Sequence, residues 1–404
     1  MKLLLVARGS MGDVYPYLAL GIELQKRGHS VTLSVPNYFK KDAEDTGVPF
    51  ILQEEDYLIK TIGDTPDIKN LLKWTKRVID SQFKEITPLL KEHDKLIASN
   101  TEFAAASIAE YCGKPFIRTA YGPFIPSRKF PPPVFPWPKP NPVFKTVLLW
   151  NMLNNSLNLM VKKSINKHRK ALGMPPIKDQ SKHAPASSYN LLLYSKNLGD
   201  VDNDWKYKWD IGGYCFNDNF SYDKEAFENV VKFINKDERP TVFFSLGSCY
   251  AAQREKFASM LFSICKQHNY KLLVSAGWWN VGECLHSNGD LFRIEQAIPH
   301  CLILPHCTAV IHHGGTGTTH SAARSGRPQM IVPLILDQPY WGYRVKQTGI
   351  GPESVNIKRI SRKQLEQKVV DLVTNPSYKE KAKVMGALVR SENGLENICK
   401  FIEK

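Results

Sequence analysis

The chain has 404 residues, 43% of them hydrophobic, with 54 Lys and Arg against 39 Asp and Glu for a net charge of +15. That length and apolar content exclude a chain disordered throughout and predict two domains with ample core. The 8 cysteines lie scattered, with no CxxC pair and no Cys/His set at zinc spacing, so no metal site is expected and the thiols read as free in a reducing compartment.

The N-terminal MKLLLVARGS has too short an apolar run before Arg8 for a signal peptide. No later stretch reaches the roughly 18 to 20 apolar residues of a membrane span, and a cytoplasmic protein is expected. The surplus positive charge suits acidic partners or an anionic membrane surface, and equally an ordinary basic surface. Lys2 to Ala7 reads as a strand, Arg8 to Asp13 as a glycine turn, about Tyr15 to Arg27 as a helix and His29 to Val35 as a second strand. This is a right-handed βαβ unit whose first turn lies at the ligand edge of a parallel sheet. Gly9 and Gly12 lack a third glycine at dinucleotide spacing, so no NAD site follows. Asp13 stands just before the predicted helix, where it can cap the first N–H groups.

Residues 37 to 120 continue as helices around Tyr38 to Thr46, Leu71 to Leu90 and Thr101 to Tyr111, alternating with strands at Pro49 to Leu52, Lys95 to Ala98 and Pro115 to Ala120. Alternation of this kind predicts a doubly wound sheet. Tyr121 to Phe144 is too rich in proline for regular structure and reads as a long loop, carrying Phe124, Phe130, Phe135 and Trp137. Phe144 to Leu172 is a basic amphipathic helix or helix pair, with Lys162, Lys163, Lys167 and Lys170 near its end. Such a segment packs on its own domain or lies on an anionic membrane; packing with the basic end exposed is the favoured reading. Tyr189 to Tyr194 is the last strand of the first half. The Asp202-Asn203-Asp204 triplet in the connector looks like an Asp-x-Asp metal motif, but no apolar strand precedes it and it reads as a solvated turn.

The second half opens with a helix at Lys224 to Asn235 and a strand at Thr241 to Ser245, ending in Leu246-Gly247-Ser248. Another strand, Lys271 to Ser275, leads into Gly277-Trp278-Trp279. The most informative stretch is Ala309 to Gly342. Val310 and Ile311 end a strand, His312 and His313 sit at its edge, and Gly314, Gly315 and Gly317 allow a tight turn against a ligand. Thr316, Thr318 and Thr319 suit the first turn of a helix that Gly326 and Pro328 stop. Strand, glycine turn and helix N-terminus in that order make an anion site, to which His313 can add a hydrogen bond or a positive charge. A purely structural glycine turn is the alternative. The apolar run Met330 to Leu336 ends in Asp337-Gln338, a carboxylate and an amide able to grip vicinal hydroxyls. Helices follow at about Arg362 to Thr374, Tyr378 to Ser391 and Asn393 to Glu403.

Phosphate and sugar hydroxyls side by side describe a nucleotide-sugar, and HHGGTGTT with Pro333, Asp337 and Gln338 resembles the donor signature of the UDP-glycosyltransferase family, closest to its sterol and antibiotic branch. The resemblance implies an α/β protein of the GT-B type, two facing Rossmann-like, doubly wound parallel-sheet domains. The expected division is an acceptor domain at 1–205, a nucleotide-sugar domain at 206–390, and a last helix, 391–404, returning to the first. It implies that Gly12, Ser248, Trp278, His313, Gly315, Thr316, Gly317, Thr318, Asp337 and Gln338 bind the donor, and that Phe124, Phe130, Phe135 and Trp137 line the acceptor pocket. Gly12-Asp13-Val14-Tyr15-Pro16 aligns Asp13 with the family's general base, because an attacking hydroxyl must lose its proton as the new bond forms. The base reading and the cap reading stand side by side. Ile298-Pro299-His300 matches, but Cys301-Leu302 replaces the family's Asp-Trp, so the choice between uridine and thymidine donors stays open. Expected partners are a UDP- or dTDP-sugar, an apolar small-molecule or lipid acceptor and an anionic membrane surface, with no nucleic acid, no metal and no cofactor beyond the donor. Two alternatives remain: rhamnosyl-type transfer to a hydroxy-fatty acyl acceptor, which GSMGDVYPYLAL also resembles, and a nucleotide-sugar-binding protein without catalysis.

Overall fold

Residues 1–55, 68–135, 142–218 and 221–404 are described in a computed structural model of the chain, and their strands form two parallel sheets. The first takes β1 (Lys2–Val6), β2 (Ser30–Pro36), β3 (Phe50–Gln53), β4 (Lys95–Ser99), β5 (Phe116–Ala120), β6 (Tyr189–Leu192) and β7 (Trp209–Ile211). Their order is β3-β2-β1-β4-β5-β6-β7. The second takes β8 (Thr241–Ser245), β9 (Lys271–Ser275), β10 (Leu291–Ile294), β11 (Ala309–His312) and β12 (Gln329–Ile331), in the order β10-β9-β8-β11-β12. Central strands such as β1 and β11 are buried on both faces, which is why they read as continuous apolar runs rather than alternating ones.

The helices covering the first sheet are α1 (Met11–Lys26), α2 (Lys40–Glu44), α3 (Ile68–Lys91), α4 (Ala105–Cys112), α5 (Val143–Ala171) and α6 (Gln180–Ala186). Over the second lie α7 (Lys224–Asn235), α8 (Arg254–Gln267), α9 (His300–Ile303), α10 (Thr316–Arg324), α11 (Gln338–Thr348), α12 (Arg362–Thr374) and α13 (Pro376–Ser391). The last helix, α14 (Gly394–Ile402), packs on α1, with Ile398, Cys399 and Ile402 wholly buried in the cluster that holds Leu20 and Leu24. Arg27 on the first domain pairs there with Glu396 and Glu403.

Two sequence expectations change and one is decided. The first domain does not stop at residue 205, because β7 pairs in register with β6 and extends the first sheet to Ile211. Of the two forms left open for the basic amphipathic segment, helix or helix pair, the structure has the single helix, 29 residues long. The apolar run before Asp337 is strand only to Ile331; beyond it Leu336 takes a left-handed φ of 52°, and the chain turns into α11.

In each sheet the strand order reverses once beside the first strand, between β1 and β4 and between β8 and β11. Ligands of open parallel sheets bind at such switch points, outside the carboxyl ends of the strands. The turns after β1 and β11 carry the residues singled out in the sequence, and the two switch points face each other. A Cβ on Gly317, at the start of α10, would lie 3.7 Å from Gly12 Cα at the start of α1.

Candidate active site

On the first domain the site is built on the turn after β1. Arg8 is buried and pairs with Glu102, 3.3 Å away, whose other oxygen accepts from Gln82. That pair ties the β1 turn to the turn after β4. Gly9 adopts a φ of 147°, and a Cβ there would fall 2.3 Å from Asp13 Oδ2, so only glycine lets the carboxylate fold back. Helix α1 starts at Met11, not near Tyr15, with Ser10 as its N-cap. Asp13 therefore sits inside the first turn instead of before it. Its Oδ2 accepts from the Ser10 amide at 2.8 Å and the Ser10 hydroxyl at 3.0 Å, the reverse half of a capping box. Tyr121 Oη donates to the Asp13 carbonyl at 2.7 Å. Burial raises the Asp13 carboxyl to about 6; the charge of Asp337 adds to this and the Ser10 hydrogen bonds oppose it. Structural bonds use one carboxylate oxygen, and the group titrates near neutrality.

Facing it is the turn after β11. His312 Nδ1 accepts from the Gly314 amide at 3.1 Å while Nε2 donates to Gln329 Oε1 at 2.8 Å, which fixes both the tautomer and the turn. The His313 ring lies between two glycines. A Cβ on Gly315 would meet its Nε2 at 2.4 Å, and one on Gly247 its Cε1 at 2.7 Å. His313 Nδ1 has no hydrogen-bond partner of normal geometry among the described residues. Burial, with the neighbouring His300 adding, pulls His313 down to about 4. Of the two contributions expected of His313, burial favours the hydrogen bond over the positive charge at neutral pH, and the electropositive field comes from the helix N-terminus.

Asp337 Oδ2 accepts from Thr316 Oγ1 at 3.0 Å and Trp341 Nε1 at 2.9 Å, which leaves Oδ1 for a ligand. The Gln338 side chain is otherwise engaged than expected. Its Oε1 accepts from the Leu334 and Ile335 amides at 2.7 and 3.0 Å, and its Nε2 donates to Cys249 Sγ, so it holds the turn that presents Asp337. Thr316 Oγ1 also lies 3.0 Å from the Tyr121 carbonyl, joining the two domains. Trp278 packs edge-on against Tyr38 of the first domain, with ring centroids 4.8 Å apart.

One cavity of about 670 Å³ joins all of this. Asp13, Gly12, Ser248, Trp278, His313, Gly315, Thr316, Gly317, Thr318, Asp337 and Gln338 all line it. Of the expected acceptor residues Phe124 lines it too, whereas Phe130 and Phe135 are not among its lining residues and Trp137 lies outside the described residues. Phe130 instead uses its carbonyl to accept from Trp150 Nε1 at 2.8 Å, and Trp150 lines the cavity with Leu153 and Leu157 of α5. Sequence reasoning placed these three on an amphipathic helix, yet which stripe of that helix meets the site depends on how it docks.

Two further residues escaped it. His320 Nδ1 donates to the Thr316 carbonyl at 2.7 Å and Nε2 accepts from the Ser195 amide at 3.0 Å, clamping α10 to the first domain. Arg118, in the interior of a strand, had no sequence signal at all. Asp202 is not a solvated residue: it is buried, takes the Ser127 hydroxyl and pairs with Lys129 at 3.4 Å, pinning the proline-rich loop to the connector. Among the described residues no group of three or more His, Cys, Asp or Glu side chains is placed to hold a metal. Among them, too, no helix is long and apolar enough to cross a membrane.

The chain is similar to known glycosyltransferases. Residues 3–123 match the Glycosyltransferase family 28 N-terminal domain, and residues 280–402 match the Erythromycin biosynthesis protein CIII-like C-terminal domain. A sterol 3-beta-glucosyltransferase of Arabidopsis thaliana is 24% identical over 100% of this chain, which spans 65% of that longer protein. An O-mycaminosyltylonolide 6-deoxyallosyltransferase of Streptomyces fradiae is 26% identical, with 100% of this chain and 97% of that one covered. Among solved structures, the glycotransferase of kitacinnamycin superimposes with a TM-score of 0.73 at 18% identity, covering 100% of this chain and 98% of the other. The glycosyltransferase VinC in complex with DTDP gives 0.69 at 16%, covering 100% and 99%.

Proposed function

The chain belongs to the UDP-glycosyltransferase family, in its sterol and antibiotic branch and with the GT-B fold, and we propose that it transfers a hexose from a nucleotide-diphosphate sugar to a hydroxyl of an apolar small-molecule or lipid acceptor. UDP-glucose is the favoured donor. The observation that carries the reading is that Asp13, with its pKa near 6, shares one cavity with the His313 turn and Asp337, contributed by opposite domains.

In this reading the acceptor hydroxyl attacks the anomeric carbon while Asp13 takes its proton. The bond from that carbon to the phosphate oxygen breaks, and the electron pair leaves with the diphosphate. Backbone N–H groups at the start of α10 and the His313 ring meet the developing charge. Asp337 orients the sugar, and a single displacement of this kind inverts the anomeric centre. Metal is not required, because the leaving charge is met by protein donors. A positioned base contributes typically 10²–10⁴-fold, and alignment in the closed cleft supplies most of the rest.

The proposal extends to peripheral contact with an anionic membrane. Its support is the outer face of α5, where Phe144, Leu148 and Leu159 are 68, 55 and 83% exposed and Lys162, Lys163, Lys167 and Lys170 stand in solvent. The deciding experiment presents UDP- and dTDP-sugars with sterol, lipid and phenolic acceptors to the purified protein, with and without EDTA. Transfer insensitive to EDTA is expected. Tight donor binding without transfer or hydrolysis would leave only the non-catalytic reading.

A further inference from the structure

The cavity extends past the reacting groups into a chamber between β5 and helices α4, α5 and α6. Phe103, Ala106, Phe116, Trp150, Leu153 and Leu157 contribute its apolar walls. Arg118 of β5 also lines it. Of the five N–H donors of its guanidinium, one is engaged among the described residues: Nη1 donates to Asn190 Oδ1 at 3.1 Å. Asn190 is neutral, and no ion pair to Arg118 forms among the described residues, whereas Arg8 and Arg169 in the same domain pair with Glu102 and Glu110. Burial draws Arg118 down to about 10, which leaves it charged at neutral pH.

Among the described residues the Arg118 cation is met by the Asn190 amide oxygen and by no counter-charge, so much of the cost of holding it against an apolar chamber is left for a ligand or solvent to offset. A planar oxyanion accepting two parallel N–H bonds is the chemistry that meets a guanidinium best. Gln180, 3% exposed, also lines the chamber; its Nε2 donates to the Phe103 carbonyl at 2.7 Å, and its Oε1, unpartnered among the described residues, is an acceptor that meets a donor on the ligand and not the anion itself. We propose that Arg118 binds an anionic group, a carboxylate or phosphate monoester, at the end of the acceptor remote from its reactive hydroxyl. The inference rests on the proposed function and narrows its acceptor to an amphipathic molecule, apolar in the middle and acidic at the far end. Along the chain Tyr121, bonded to the Asp13 carbonyl, lies three residues beyond Arg118, so the two side chains leave opposite faces of the sheet with a rise of about 10 Å between them.

The test is calorimetric titration of UDP-saturated protein with three probes: ω-hydroxydecanoate, its methyl ester and ω-hydroxydecyl phosphate. One of the two anions should bind about tenfold or more tighter than the ester, the size expected of a hydrogen-bonded charge pair. Which anion wins identifies the group. Arg118→Gln should abolish that preference and Arg118→Lys should keep part of it. UDP affinity in both variants should match the parent, which shows that they fold. Equal binding of ester and anions by the parent protein would overturn the assignment while leaving the donor site standing. Absence of UDP binding would instead count against the proposed function, and the same titration on the unliganded protein would still read Arg118.

Discussion

Asp13 has two jobs that its position in the first turn of α1 makes compatible: Oδ2 closes the capping box on Ser10, and the raised pKa keeps the group near its titration point. Asp13→Asn should lower turnover by at least about 10²-fold with donor affinity unchanged. Turnover of the parent protein should fall as the pH drops through 6, because the base is lost on protonation. The linked stability runs the other way. A carboxyl whose folded pKa of about 6 exceeds its ordinary 3.8 binds its proton more tightly when folded, so its contribution to stability is fullest below 3.8 and is lost as pH rises through 6. Melting curves should show Asp13→Asn gaining on the parent between pH 4 and 7, and a constant difference would contradict the burial argument. His313→Ala and Asp337→Ala should each weaken donor binding, and normal affinity in both would mean the donor site is misassigned. With His313 held neutral by burial, donor affinity should show no His313 protonation step between pH 6 and 8.

Helix α5 shows how one element serves two surfaces. Trp150, Leu153 and Leu157 turn inward to the cavity, while Phe144 and Leu148, one turn apart, stand exposed with Leu159 further along. Arg169 near its C-terminus is buried and paired with Glu110, so the basic end is part anchor and part solvated face. The membrane reading predicts binding to anionic but not zwitterionic vesicles, weakened by salt and by converting Lys162, Lys163, Lys167 and Lys170 to Glu. Each basic residue near an anionic surface adds about 1 kcal/mol, so four together suffice for reversible docking. Turnover of a soluble acceptor should not change. If the parent and the charge-reversed protein sediment equally with anionic vesicles, α5 is an ordinary amphipathic helix.

At the scale of the molecule, the chain leaves its first domain after β7 and returns to it through α14. Ile398 fills the space above Gly212, where an added Cβ would lie 2.5 Å from its Cγ1. Ile398→Ala should cost about 2–5 kcal/mol and lower the melting temperature of the first domain, since the cavity opens in a cluster that includes α1. An unchanged melting temperature would show that α14 is a loose cover. The His320–Ser195 bond, with the Thr316 hydroxyl 3.0 Å from the Tyr121 carbonyl, joins the two domains around the cavity. Alternating apolar runs and helical segments sufficed to read the parallel sheets, and the turns after β1 and β11 were legible because glycines, histidines and Asp13 are local signals of backbone shape and chemistry. The sequence by itself also determined the charge surplus and the family resemblance of the donor stretch. Only the tertiary structure decided that burial disfavours a charge on His313, that Gln338 braces its own turn, that Asp202 is buried, and that Arg118 lines the cavity. Protonation, hydrogen-bond partners and burial depend on groups brought together from distant parts of the chain, and no local pattern of residues encodes what will lie opposite.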